Sequence, residues 1–180
     1  MHGVRTGFPT NEMMEANVAE LTKLEAKLGE VTGLAMAAQA ATKKVESLPG
    51  GDKQLAGRLK EMRAQARETE QRCTKLAGSF KGKKTAILDE ARGVKSKGAE
   101  MMGIYLDDDA EALDGFEFLT MAEAGEVGHW KVLRVLARSG RHAELSKLAD
   151  WALPIQERHL STVQKTSAEL AAKEAPGDPA

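Results

Sequence analysis

Seven residues between Phe116 and Ala137 recur at spacings of three, four, three, four, three and four: Phe116, Leu119, Glu123, Glu126, Trp130, Leu133 and Ala137. This period places all seven on one face of an α-helix. Most of them are apolar, so the face is expected to be buried, and two carboxylates are buried with it. An ionised carboxylate without a partner in a protein interior costs several kcal/mol or takes up a proton. A fold for this chain therefore has to neutralise Glu123 and Glu126 with an Arg or Lys, a shared proton or a metal ion.

The rest of the sequence supplies a helical setting for that face. Ala, Leu, Glu, Lys, Arg and Met dominate, and aromatic residues are only 4% of the chain. No period-two run reaches strand length, so the expected class is all-α. A first helix is predicted from about Glu12 to about Glu46, capped by Thr10 or Asn11, with an apolar stripe through Met14, Leu21, Leu24, Leu28, Val31 and Ala35. The run Ser47-Leu48-Pro49-Gly50-Gly51-Asp52 stops it and caps a second helix over Lys53 to Ala77. A long connection, Gly78 to Leu106, holds Gly82, Gly93, Gly98 and Gly103 and is expected to contain one short helix around Thr85 to Lys95. Asp107 to Asp109 cap a third helix that runs to about Arg138, and a fourth follows from about His142 to Ala172, kinked at Pro154. Two hairpins joined by a long crossover is the plan of ferritin-like bundles. The expected organisation is an N-terminal tail over 1–11, a ferritin-like four-helix bundle over 12–172 and a disordered tail over 173–180.

Composition removes several function classes. A chain of 180 residues suits one domain. A net charge of −1 offers no global field for nucleic acid or anionic lipid. No window approaches a membrane span, the first ten residues lack an apolar signal core, and Cys73 alone cannot build a disulfide framework. A cytoplasmic protein without nucleic-acid or membrane partners is expected, and the fold admits a homodimer.

The chemistry concentrates on the third and fourth helices. Leu145, Leu148, Ala152, Ile155, His159, Val163 and Leu170 form the apolar line of the fourth helix, and His159 lies within it. About the turn at Gly140, Glu123 lies 17 residues before (140 − 123) and His159 lies 19 after (159 − 140). In an antiparallel hairpin that leaves them about 3 Å apart along the axis, so Glu123, Glu126 and His159 are expected to meet. Carboxylate oxygens and imidazole suit iron, manganese or zinc. His129 stands three residues after Glu126, the spacing that di-iron carboxylate bundles use, although it points roughly 90° off the line. The other hairpin offers Glu68 at the edge of its stripe and either Glu25 or Glu30 on the first helix. The competing expectation is a metal-free bundle in which Arg67 or Lys60 neutralises the carboxylates.

Four segments, spread from about Leu21 to Leu170, together resemble the small ferritin-like bacterial proteins of the YciE/YciF type. They are Leu21-Thr22-Lys23-Leu24-Glu25, Gln65-Ala66-Arg67-Glu68-Thr69, the lysine-rich Lys81 to Leu88, and Glu123-Ala124-Gly125-Glu126 followed by Trp130 and Leu133. The resemblance implies a rubrerythrin-like four-helix fold, metal bound between the helices and a link to stress responses; the expected function is a di-iron or di-manganese carboxylate site in the bundle core that reacts with dioxygen or peroxide. It also implies candidate ligand roles for Glu25, Glu68, Glu123 and Glu126; His129 and His159, singled out by their spacing, are the imidazoles expected to compensate where this chain departs from the family. Gln65 stands where that family has His, and Ala124 replaces the His between the two carboxylates.

Overall fold

The computed structural model describes residues 20–177, and among these the chain forms five helices and no strand. They are α1 (Lys23–Glu46), α2 (Lys53–Ala77), α3 (Lys84–Tyr105), α4 (Ala112–Ser139) and α5 (Ala143–Ala171). The expected N-terminal tail, the Thr10 or Asn11 cap and the first turns from Glu12 lie outside the described residues. Within them, α1 starts at Lys23, because Thr22 and Glu25 close a reciprocal capping box there. No helix among the described residues is long and apolar enough to cross a membrane.

The pairing is that of two hairpins and a strut. α1 packs on α2, and α4 packs on α5. α1 and α4 run antiparallel: a side chain at Gly115 would strike Val45 and Leu48, His129 reaches Glu30, and Gly140 lies beside Leu24. α2 and α5 are antiparallel too, with Arg58 on Thr166, Gln65 on His159 and Arg72 over Trp151.

The connection is larger than the sequence suggests. Instead of one short helix around Thr85 to Lys95, it forms the 22-residue α3, lying parallel to α1 on the outside of the assembly. Two glycines of α1 make that seat. A Cβ on Gly29 would lie 2.8 Å from the Ile87 carbonyl oxygen, and one on Gly33 closer still to that of Ala91, so the backbones touch only because both side chains are missing. Of α3 itself only Ile87 and Ala91 are buried. α4 begins at Ala112, after the Asp107–Asp109 cap expected for it. Glu111 caps it instead in a box with Asp114, and Ala112 N–H donates to the Pro49 carbonyl of the α1–α2 turn. In α5 the helix continues through Pro154, which is exposed, so the interrupted hydrogen bond lies on the wet side.

The interior is divided in two. One apolar cluster is built around Leu28, Cys73, Trp130, Leu133, Leu145 and Ala152, the other around Val45, Leu59, Met62, Phe116, Leu119 and Val163. On α4 the first cluster starts at Val127 and the second stops at Leu119, and on α5 the gap lies between Leu153 and Leu160. Polar side chains occupy that dividing layer.

Candidate functional site

The layer is supplied by three helices. From α4 come Glu123 and Glu126, 2% and 3% exposed; from α5 come Gln156 and His159, both buried; from α2 comes Gln65 at the edge. Their positions follow from helical period alone: Glu123 and Glu126 occupy the inward line of α4, and Gln156 and His159 the inward line of α5 one turn apart. Gln65 Oε1 lies 2.6 Å from His159 Nε2, so that nitrogen is the N–H tautomer and donates to the amide. His159 Nδ1 then faces Glu123 Oε2 at 3.6 Å.

Among the described residues no fixed cation reaches the two carboxyls. Lys60 and Arg63 are both taken by Glu46, which removes Lys60 as the expected partner, and no ion pair joins Arg67 to either carboxyl among the described residues. Glu123 Oε2, Glu126 Oε2, Gln156 Oε1 and Trp130 Nε1 are all buried without a hydrogen-bond partner among the described residues. Burial pushes the Glu123 carboxyl up to about 8. Burial also holds Glu126 well above the usual carboxylate range, with the neighbouring Glu123 adding to the rise and His159 opposing it. The same burial lowers His159, against the pull of Glu126. Burial therefore favours the protonated form of both carboxyls and the neutral form of the imidazole in this layer. Cys73 lies close enough for Glu126 to act on it, and burial pushes its thiol up to about 12, so it is a packed, unreactive side chain.

Of the six side chains singled out from the sequence, the structure gathers three. Glu25 spends one oxygen on the Thr22 backbone N–H, at 2.8 Å, inside the α1 cap. By the α1–α4 register it is level with the end of α4, roughly 15 Å or more along the axis from Glu126. Glu30 does not reach the layer either; it bonds His129 Nδ1 at 2.8 Å and is also paired with Lys27. His129 thereby points into a half-exposed ion pair on the α1 side. Glu68 is level with Gln156 but turns into solvent, where Arg72 takes it at 2.7 Å. The four carboxylates that the resemblance implies as ligands are therefore not brought together. Among the described residues no three His, Cys, Asp or Glu side chains are grouped so as to hold a metal ion.

Gln156 is the residue that sequence reasoning passed over. Ile155 is drawn on the apolar line of α5, yet Gln156 is the buried neighbour. Its signal was the Gln156-x-x-His159 spacing, which puts an amide one turn from an inward imidazole. Compared with known proteins, the chain matches no family model, no curated protein and no solved structure.

Proposed function

We propose that the chain is a ferritin-like four-helix bundle, similar in kind to the YciE/YciF stress proteins, that binds a single divalent cation, iron or manganese, through Glu123, Glu126 and His159. The observation that carries this reading is the pair of buried carboxylate oxygens, Glu123 Oε2 and Glu126 Oε2, that no hydrogen bond and no Lys or Arg satisfies among the described residues. A divalent cation is the one partner that would deprotonate both acids and use the imidazole together, and oxygen plus imidazole donors suit iron and manganese. Binding must expel the protons that burial favours there, so affinity is expected to climb as pH rises from neutral towards the range where Glu123 titrates, about 8. Equilibration with Fe(II) or Mn(II) followed by elemental analysis tests this. About one ion per chain is expected for the wild type and none for a Glu123→Gln, Glu126→Gln variant. Equal metal content in the two would remove the reading.

A second reading is favoured by one observation, that no three ligating side chains are grouped among the described residues. On it the bundle is a metal-free structural or partner-binding module, and the two acids stay protonated. Replacing Glu123 with Leu would then raise stability, as substitution of buried polar groups by apolar ones often does. Melting curves with and without chelator separate the two, since only a bound ion raises the melting temperature.

A further inference from the structure

Over the whole chain the cations are slightly outnumbered, 26 against 27 acids, but they are not evenly spread. A groove of about 510 Å³ runs along α1 between α2 and α3, two helices that barely touch one another. Lys43 of α1, Arg63 and Arg67 of α2, and Arg92 and Lys95 of α3 line it, with Glu70 as its one acid. That is an excess of four positive charges (5 − 1) in one concavity. Glu70 accepts a hydrogen bond from the Gln39 amide at 2.6 Å. Glu46 pairs with Arg63 and Asp89 with Arg92, while Lys43, Arg67 and Lys95 have no ion-pair partner among the described residues. Arg67, expected beside the buried acids, stands in this groove instead. Arg63 and Arg67 are four apart on one helix, Arg92 and Lys95 three apart on another, and like charges at those spacings repel. Both pairs turn towards the same cleft. Packing of the three helices does not require that; an anion held between them does.

We infer that this groove binds a linear polyphosphate, a short chain of phosphate groups carrying several negative charges. Length and chemistry both point to it. Arg63 and Arg67 lie about 6 Å apart along α2, and Arg92 and Lys95 about 4.5 Å apart along α3, spans that two or three linked phosphates cover. Three of the five cations are Arg, whose planar fork takes two phosphate oxygens at once, and the two Lys add point charges. One carboxylate or one phosphate has too little charge to answer an excess of four and too little reach to bridge the two walls. A long nucleic acid fits less well, because the cations sit inside one short concavity rather than along a stripe, and the chain as a whole carries −1. Inorganic triphosphate and a nucleoside triphosphate present the same group, and the half-buried Met36 and Ala40 offer an apolar floor to a nucleobase. No residue of α4 or α5 lines the groove, so it is independent of the carboxyl layer and of any metal bound there. An anion seated here ties α3 to α2 and fastens the strut.

Calorimetric titration of the full chain with inorganic triphosphate and with ATP, in buffer free of divalent ions, tests this. About one anion per chain is expected, bound more weakly as salt is added. Arg67→Ala with Lys95→Ala, both at exposed positions, is expected to weaken binding by about tenfold or more. Lys53→Ala with Lys173→Ala removes the same charge outside the groove and is expected to leave the affinity within about twofold. Tighter binding of ATP assigns the nucleotide as the source of the phosphates, and equal affinity assigns the phosphate chain itself. Bound triphosphate is also expected to slow amide exchange in α3 while α4 and α5 stay as they are. Absence of binding would overturn the inference, as would an equal loss in the two double variants. Orthophosphate that binds as tightly as triphosphate would exclude a chain of phosphates, and duplex DNA that displaces triphosphate at lower concentration would hand the groove to nucleic acid.

Discussion

Two Glu–His groupings lie one turn apart on α4, and they reach opposite solutions. At His129 the carboxylate is Glu30, Lys27 joins the pair, and the whole group is partly wet. At Glu126 the carboxylates are two, the imidazole is His159, and neither Lys nor Arg enters among the described residues. The first is a closed ionic group that needs nothing more. The second is dry and short of one cation, and its acids answer by keeping their protons. The same residue types therefore mark a candidate site only where the surrounding helices withhold a fixed charge.

The widest difference between the groupings should appear on adding metal. At an excess of 100 times the dissociation constant, a bound ion stabilises by about 2.7 kcal/mol, a rise of several degrees in melting temperature. Glu123→Gln with Glu126→Gln is expected to abolish that rise, while Glu30→Gln or His129→Ala keeps it. A response lost in His129→Ala and kept in the double variant would reverse the comparison.

The next effect is on pH, in the absence of metal. The folded Glu123 holds its proton up to about 8, whereas the unfolded chain releases it near 4.5. Its contribution is complete below the lower value and is lost as pH rises through the upper one. The lowered His159 acts with the opposite sign, but only below about its ordinary 6.5. Between about pH 6.5 and 8, stability should therefore fall as pH rises, by on the order of 1–2 kcal/mol from Glu123 alone, with the raised Glu126 acting in the same direction, so Glu123→Gln should reduce the slope without abolishing it. Urea unfolding at several pH values measures it, and a rising curve over that window would contradict the buried-proton account.

A smaller effect separates Glu25 from the site. Thr22→Ala is expected to cost about 1 kcal/mol of stability through the lost cap, and Glu25→Ala a similar amount, with the metal response unchanged in both. Smallest of all, Lys27→Met should change stability by roughly 0–1 kcal/mol, the usual worth of a partly exposed ion pair.

Much of the helix pattern is legible in the residues. The bounds of α2 agree with the expected Lys53 to Ala77, and α5 falls within one residue of its expected ends. Period and turn chemistry carry that information. The crossover reads as too short because Gly93, Gly98 and Gly103 count against a helix on propensity, and packing on α1 overrides that. Gly98 even has a reason, since a Cβ there would lie 2.8 Å from that of Ala37. At the site, an inward line is enough to place Glu123, Glu126 and His159 in one layer. It does not tell which acids local partners have already claimed. Those partners are visible all the same: Thr22-x-x-Glu25 is a capping-box spacing, and Glu68 and Arg72 stand four apart on one helix face. What no single sequence reveals is the roll of α1 against α4, which gives Glu30 to His129.

The glycine seat of α3 has a dynamic consequence. A helix held by two buried side chains and close backbone contact has little apolar surface to lose on opening, so it should form the least protected cooperative unit in amide hydrogen exchange. Its departure would bare α1, on the side of the molecule away from α5 and His159. Breathing of the strut and dryness of the carboxyl layer are in this way uncoupled, and the slowest-exchanging amides are expected on α4 and α5, where the buried acids and His159 are.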